Sequence, residues 1–470
     1  MSSFHFFAPE IVLLVGTLCT FLCAAFGAKR DFTWWVSLWA AIATFSVSVW
    51  GLKLEGQPFS EGIYQVDAFS QVFKVGVAGA LVLCVALAQR QDSTREQARV
   101  DMHFVFHLSA VGMMLLVSAT ELLTLYLALE MSAYGLYIAA ALGRGGRVTA
   151  EAAAKYILFG AASSAVSLFG LSLVYGASQS TYIADVAASG GSPLLITGIV
   201  LLLAGVLYKL AAFPVHAWAP DTYQGASHEA SAFLGTASKV AGVGLILRVL
   251  SMAGASTADL QTVLIVVAVL SMTVGNLSAM LQTDFKRLMG FSAVAHAGYL
   301  LLGVLCFSEL GAAAAIFYVL TYVPIVVAAF LVISALSEDG KNPSIADLAG
   351  LYKRSPLLGL VLLASMFGLA GIPPTPGLAG KWFLFSAVIE TGRTWLVLVA
   401  AINATISLYY YLLVVRSAYL APPGERGDVS LTPSYRGLAY LCLGLILFMG
   451  FYPAPVWALA RAAAQVLLGS

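Results

Sequence analysis

The sequence predicts an all-α integral membrane protein of about fourteen transmembrane helices. Three observations carry that prediction: the composition, the recurrence of long apolar runs, and the concentration of basic residues in alternate loops. Of 470 residues, 60% are hydrophobic and only 10% charged, with a mean hydropathy of +0.91, outside the range of soluble domains. Apolar runs of about 20 residues, the length that crosses a ~30 Å hydrocarbon layer, recur from Pro9 onward. Helices are expected because backbone groups in lipid must be paired within the segment, whereas barrel strands are only about 10 residues long and alternate in polarity.

The spans are placed near residues 9–27, 34–52, 67–89, 104–119, 121–142, 153–177, 192–213, 228–253, 259–282, 287–307, 310–336, 356–391, 394–418 and 437–465. Of the 24 basic residues, fifteen fall in one set of alternate loops: Lys29, Arg30, Arg90, Arg95, Arg99, Arg144, Arg147, Lys286, Arg287, Lys341, Lys353, Arg354, Arg416, Arg426 and Arg436. Basic loops stay in the cytoplasm. The opposite loops hold only Lys53, Arg248, Arg393 and Arg461, so both termini are expected on the non-cytoplasmic side. No basic stretch with a cleavage site opens the chain, so the first span is expected to be retained.

Two spans are interrupted by proline, which deletes a backbone donor and clashes with the preceding turn. One break runs through Phe213-Pro214 to Ala219-Pro220 in span seven; the other is Gly371-Ile372-Pro373-Pro374-Thr375-Pro376-Gly377 in span twelve. Irregular backbone at membrane depth is tolerated where it is buried in protein or lines a hydrated cavity. The breaks lie five helices apart, an odd shift that reverses orientation, as in an inverted repeat. The expected organisation is N-terminal helices one to three (1–103), a first repeat of helices four to eight (104–253), a second of helices nine to thirteen (254–420), and a C-terminal helix fourteen (421–470).

Five lysines fall within or at the edge of spans, and a mid-span glutamate joins them. Glu130 lies nine residues into span five with no basic residue within two turns, and a charge there costs about 2.5–3.5 kcal/mol on insertion scales, so its partner must come from another helix. Lys209 precedes the first break by one turn, Lys239 is mid-span in Ser238-Lys239-Val240, and Lys381 follows the second break after Gly380. Burial lowers a lysine's pKa and a nearby carboxylate raises it, so a lysine that alternates between such surroundings can take up and release a proton, which arginine cannot. His296, mid-span in Ala295-His296-Ala297, has the ordinary pKa of a relay, although a hydrogen-bonded structural histidine fits the same position. His216, near a span end, suits either proton uptake or capping.

The other charges have local explanations. Lys155 follows Glu151 by four residues, a helical ion-pair spacing. Lys74 shares a helical face with Asp67, two turns away, and a structural pair is expected there. Glu121 opens span five, where a carboxylate suits a helix start. The five cysteines, Cys19, Cys23, Cys84, Cys306 and Cys442, fall in predicted helices with no C-x-x-C and read as apolar packers. His103 and His107 have a spacing that could bind metal or haem, but no carboxylate or thiolate completes a site, and an interfacial pair is the simpler reading. No dinucleotide or phosphate-loop pattern is present, and nothing suggests nucleic-acid binding.

These residues with their neighbours carry a specific likeness. Lys209 with Phe213-Pro214-Val215-His216-Ala217-Trp218-Ala219-Pro220-Asp221-Thr222-Tyr223-Gln224-Gly225-Ala226, then Phe285-Lys286-Arg287-Leu288-Met289 leading to His296-Ala297-Gly298-Tyr299, and Gly371-Ile372-Pro373-Pro374-Thr375 with Gly380-Lys381, together resemble the subunit N family of proton-translocating NADH:quinone oxidoreductase, respiratory complex I, over nearly the whole chain. The resemblance implies fourteen helices with two inverted five-helix repeats and broken helices seven and twelve. It also implies a role for each charge: Glu130 as the helix-five glutamate, Lys209 as the helix-seven lysine paired with it, Lys239 as the central helix-eight lysine, Lys381 as the helix-twelve lysine toward the far exit, and His296 on the central hydrophilic axis.

The resemblance further implies a translocase subunit in a bacterial inner membrane with no cofactor of its own. NADH, FMN, iron–sulfur clusters and quinone are expected in other subunits, and the M-type, K-type and J-type membrane subunits as partners. The M-type pattern carries glutamate where Lys381 stands, and the L-type has a long C-terminal lateral helix for which no residues remain after Ser470. A subunit of a multisubunit sodium/proton antiporter is the alternative, from which the 219–226 loop and the 296–299 run differ. Thr222, Gln224 and Ser227 depart from the family pattern in that loop, and no charged site is affected.

Overall fold

The computed structural model describes residues 4–53, 57–59, 62–424 and 426–468. Among these, thirteen helices are long and apolar enough to cross a membrane, and a split span brings the number to the fourteen read from sequence. Spans one to six are Ala8–Ala25, Arg30–Gly51, Ala68–Leu87, Arg99–Ser118, Leu122–Ala141 and Arg147–Ser178, and span seven is Pro193–Leu210. Span eight is Ala237–Leu250 with the short helix His228–Gly235 before it; spans nine to eleven are Thr257–Ala279, Phe285–Val304 and Glu309–Leu336. Span twelve is Pro356–Ala370 with Pro376–Glu390, span thirteen Thr394–Leu420 and span fourteen Pro433–Phe451. A two-stranded antiparallel ribbon, Gln57–Phe59 against Tyr64–Val66, links spans two and three.

Helix starts follow local chemistry. Asp67 and Ser70 form a reciprocal capping box at span three, and Ser192, Asp284, Ser308 and Thr432 each accept from a backbone amide three residues on. Such caps satisfy amides that the first helical turn leaves without partners. Glu121 caps span five in the same way, accepting from the Thr124 amide at 2.7 Å, as its placement at a helix start predicts. Proline occupies the first turn of spans seven, twelve and fourteen, where its missing donor costs nothing.

The two proline breaks repeat one plan. Span seven ends at Leu210, Ala211 turns left-handed at φ 60°, and the next residue, Ala212, donates to the Leu207 carbonyl five residues back at 2.8 Å. Helix resumes at Trp218–Gly225. The first half of span twelve ends at Ala370, Gly371 turns left-handed at φ 85°, and Ile372 donates to the Phe367 carbonyl five back at 2.9 Å. Both are Schellman-type ends, which pair carbonyls in the last turn of each half-helix. A third interruption went unread in the sequence: Thr236, at φ −120° and ψ −80°, separates His228–Gly235 from Ala237–Leu250. No proline marks it, whereas Pro324 sits inside span eleven without ending it.

Spans eight, ten and eleven are almost wholly buried, while spans one, two, six, thirteen and fourteen present large apolar side chains outward. The core is therefore built from the helices that carry Lys239 and His296. The last span differs from expectation. Residues 437–465 do not form one helix: span fourteen ends at Phe451, and a second helix, Ala454–Leu468, follows. Pro453 and Pro455 stop the first and start the second. The added helix lies against spans three and eleven, with Trp457 stacked on Phe383 at 4.0 Å and Gln465 donating to Glu309 at 3.0 Å.

Several charges sit differently from their sequence reading. Lys74 pairs not with Asp67 but with Glu10 of span one, at 2.8 Å, and Tyr64 donates to the same carboxylate oxygen. Asp67 pairs instead with Arg248 at 2.9 Å, so Arg248 is a buried residue of span eight and no loop residue. Three-dimensional proximity outweighs the two-turn spacing along span three. Lys286 is fully buried at the start of span ten, and His103 and His107 are buried within span four and not interfacial. Cys306 lies just beyond the end of span ten. Residues 1–3 and 469–470, which hold the two chain ends placed on the non-cytoplasmic side, lie outside the described residues.

Candidate functional site

Five residues single themselves out by chemistry and depth, and the structure brings them into two adjoining groups. The first group lies where span seven ends. Lys209, in its last turn and 6% exposed, donates to the Ser132 hydroxyl of span five at 2.7 Å. Ser132 in turn donates to the Leu129 carbonyl at 2.6 Å, which holds its oxygen toward the lysine. Glu130, half-buried on span five, accepts from Ser164 of span six at 2.6 Å, and Tyr126 contacts the same serine at 2.7 Å. Glu130 and Lys209 line one small cavity with Tyr137, Tyr156, Ser164 and Tyr208.

The resemblance implied a direct pair between these two charges. The structure places them in one cavity but gives each a serine partner in place of the other charge. A carboxylate and an ammonium separated by hydroxyls still act on each other, because a low-dielectric interior screens their attraction far less than water does.

The second group is gathered around His296. Lys239 stands three residues past the Thr236 interruption, 1% exposed, and donates to the Ala293 carbonyl of span ten. Its ammonium lies over the Tyr322 ring, 5.6 Å from the centroid. That ring stands 5.0 Å from the imidazole of His296. The histidine's Nδ1 lies 2.7 Å from the Tyr318 hydroxyl and its Nε2 3.0 Å from that of Tyr411, which also contacts Ser292 at 2.5 Å. On the far side, the Lys381 ammonium lies over the Tyr299 ring at 5.0 Å, and Tyr299 is a neighbour of His296 at 6.0 Å. Both lysines thus stand on rings that touch one imidazole. A cation over an aromatic face is stabilised without a counter-charge.

Lys381 also holds the second break together. Its ammonium donates to the carbonyls of Leu369 and Ala370, the last two of the preceding half-helix, at 3.1 and 2.7 Å. A cation at a helix C-terminus meets the negative end of the helix dipole. Close packing joins the two groups: a Cβ added to Gly242, three residues after Lys239, would stand 3.7 Å from the Lys209 side chain. The stem of Lys209 therefore packs on the helix that carries Lys239.

Sequence reasoning missed the residues that connect these charges. Ser132 and Ser164 carry no sequence signal on their own. Tyr318 and Tyr322, four apart in span eleven, form a one-faced pair that could have been read as lining an axis. His216, read as suited to proton uptake or capping, is half-buried, with a ring nitrogen lacking a hydrogen bond. Lys155 pairs with Glu151 at 2.7 Å as its spacing predicts, and also with Asp221 at 2.6 Å. Burial alone would push the Asp221 carboxyl up, but Lys155 and Arg287 both donate to it and hold it below the usual carboxylate range. Among the described residues no three His, Cys, Asp or Glu side chains are grouped to hold a metal.

Comparison with known proteins agrees with this architecture. Residues 119–407 match the family described as NADH:quinone oxidoreductase/Mrp antiporter, TM. A relative in Solidesulfovibrio magneticus, named NADH-quinone oxidoreductase subunit N 2, is 42% identical, with 98% of each chain covered. The subunit N 2 of Syntrophobacter fumaroxidans is 41% identical over 98% of this chain and 99% of its own. A chain in a structure of respiratory complex I from Thermus thermophilus superposes with a TM-score of 0.83 at 33% identity, covering 96% of this chain and 99% of that one. A chain of the Mrp complex from Dietzia sp. shares the fold at a TM-score of 0.88 but only 21% identity, covering 99% of this chain and 98% of its own. The chain belongs to the NADH:quinone oxidoreductase/Mrp antiporter transmembrane family and, within it, to subunit N of NADH-quinone oxidoreductase.

Proposed function

We propose that the chain moves protons across the membrane along Glu130, Lys209, Lys239, His296 and Lys381, coupled to quinone reduction elsewhere in the complex. The observation that carries this reading is the continuity of the titratable groups with the helix breaks: Lys209 and Lys381 flank the two proline breaks, Lys239 follows the third, and His296 stands between the rings that hold Lys239 and Lys381. Neutralising Glu130 removes electrostatic support for the ammonium of Lys209, and a change of charge there is felt at the next member, so the set titrates as a coupled unit. A half-helix end stands beside each lysine, and irregular backbone at such depth is tolerated where it is buried in protein.

We assign electron transfer, with NADH, FMN, iron–sulfur clusters and quinone, to other subunits, because the groups of this axis bind protons and carry no electrons. The M-type, K-type and J-type membrane subunits are the proposed neighbours, and 1–103, 104–253, 254–420 and 421–470 the proposed organisation. The arginine-rich end is assigned to the cytoplasm of a bacterial inner membrane, with both termini opposite.

The test is proton translocation by the assembled complex in proteoliposomes, read as protons moved per NADH oxidised. Lys209→Ala, Lys239→Ala and Glu130→Ala are each expected to lower that ratio. Wild-type ratios in all three variants would sink the assignment. Sodium-dependent exchange by vesicles containing this chain alone would favour the antiporter reading instead.

A further inference from the structure

A second cluster of titratable residues lies beneath the arginine-rich end and has no role in the axis described above. The short helix His228–Gly235 begins with two ionisable residues, His228 and Glu229, that are 1% and 2% exposed. Glu229 accepts from both hydroxyls of the 93–94 loop, Ser93 at 3.3 Å and Thr94 more closely. The His228 amide donates to Ser93 at 2.9 Å, yet neither nitrogen of its ring has a hydrogen-bond partner. Lys286, fully buried on span ten, lies within electrostatic reach of both.

The partners of this cluster leave its protons movable. Lys286 donates to the Ala226 carbonyl at 2.5 Å, the end of helix Trp218–Gly225, and not to Glu229. Lys286 and Glu229 thus lie within electrostatic reach of each other without a locking bond, and an imidazole with two unpartnered nitrogens stands beside them. A buried ring with no partner is uncommon in a settled core, where polar atoms are nearly always paired. Arg90 and Asp92, paired at 2.6 Å and each about one-third exposed, border the cluster: Asp92 precedes Ser93, and Arg90 lies within electrostatic reach of His228.

The cluster is in register with the axis on two helices at once. Glu229 precedes Lys239 by ten residues, across the Thr236 interruption, and Lys286 precedes His296 by ten, about 15 Å along span ten. Hydroxyls occupy the interval. Ser231 donates to the Tyr223 carbonyl at 2.9 Å, the Tyr223 hydroxyl reaches within 3.0 Å of the Cβ position of Gly235, and Thr236 lies at the interruption itself.

We propose that His228, Glu229 and Lys286 form a proton-loading site that receives protons from the arginine-rich side and passes them to Lys239. The inference rests on the axis reading. A proton arriving from water at Asp92 adds to the His228 ring or the Glu229 carboxylate, forming an N–H or O–H bond. It then leaves through the hydroxyls to the Lys239 amine, which becomes an ammonium while the loading group returns to its starting state. No other bond changes.

The test uses the assembled complex in proteoliposomes, again reading protons moved per NADH oxidised, with Glu229→Gln, Lys239→Ala and the double variant. A loading site in series predicts that Glu229→Gln lowers the ratio to the level of Lys239→Ala, and that the double variant falls no further. An unchanged ratio in Glu229→Gln beside a lowered one in Lys239→Ala overturns the loading site alone, as does an additive loss in the double variant. An unchanged ratio in Lys239→Ala instead overturns the axis itself. Should Glu229→Gln not assemble, His228→Asn is read in its place with the same two outcomes.

Discussion

The ammonium of Lys381 donates to the carbonyl of Ala370, eleven residues earlier in the same broken span, at 2.7 Å. One side chain thereby serves as the cap on the break beside it and as a member of the proposed axis. Replacing Lys381 with Met should lower proton translocation and also leave two carbonyls without donors, at about 1–3 kcal/mol for each buried group. Hydrogen exchange at the Gly371 and Ile372 amides is expected to rise, while Lys239→Met leaves those amides protected. Unchanged exchange there would remove the capping role.

Gly371 is held at φ 85°, and a Cβ there would stand 3.0 Å from Lys381 Cδ and 3.4 Å from its Nζ. Gly371→Ala should therefore cost about 1–2 kcal/mol in backbone strain and displace the lysine. Gly176→Ala, at a position with no neighbour within 4 Å, is the matched control and should be silent. The comparison is a thermal-unfolding midpoint in detergent, with proton translocation measured on the same preparations.

Ser132 holds the Lys209 ammonium and Ser164 the Glu130 carboxylate. Ser132→Ala removes the acceptor of the Lys209 ammonium and Ser164→Ala the donor to Glu130, and each should lower proton translocation less than Lys209→Ala does. In a double-mutant cycle, Ser164→Ala added to Glu130→Gln should have little further effect, because the interaction is already weakened. Fully additive losses would count against a shared pathway.

Glu10 and Lys74 form a buried pair of another kind, 1% and 0% exposed. Lys74→Met alone leaves an uncompensated buried carboxylate and should cost about 3–5 kcal/mol, whereas the double variant Glu10→Leu with Lys74→Leu should recover most of that loss. Complex yield and unfolding midpoints distinguish the two. A double variant as unstable as the single would show that the pair does more than balance charge.

Asp221 supplies a pH test outside the membrane. Its carboxyl is held below the usual range by Lys155 and Arg287, so its contribution to stability is fully present above the unfolded carboxylate pKa of about 3.9 and is lost as pH falls through the lowered folded value. Asp221→Asn should be less stable than the parent at neutral pH and should match it in strong acid. Acid titration of the unfolding midpoint for both chains reads this directly.

How much was legible in the sequence follows from what each signal depends on. Apolar runs and basic loops reflect the bilayer itself, so all fourteen spans could be placed. Proline marked two breaks because it acts through its own backbone; Thr236 broke span eight without any such mark, through packing and the hydroxyl it turns back to Ala232. Pro453 and Pro455 were present in the sequence, and reading them would have divided the last helix correctly. The five titratable residues stood out because charge in an apolar run is conspicuous. Their partners did not, since Ser132, Ser164, Tyr318 and Tyr411 are ordinary in composition and acquire meaning only where helices meet. Lys74 shows the opposite error, in which a spacing along one helix suggested Asp67 while the fold supplied Glu10.

The tyrosine faces beneath Lys239 and Lys381 have a mechanical counterpart in the Glu10–Lys74 pair. A carboxylate clasping an ammonium behaves as a rivet: opening it strands a bare charge. A ring offers a cushion instead, because it leaves no orphaned ion when the proton departs. The same amine chemistry is thus fastened at the edge of the bundle and left on springs at its centre.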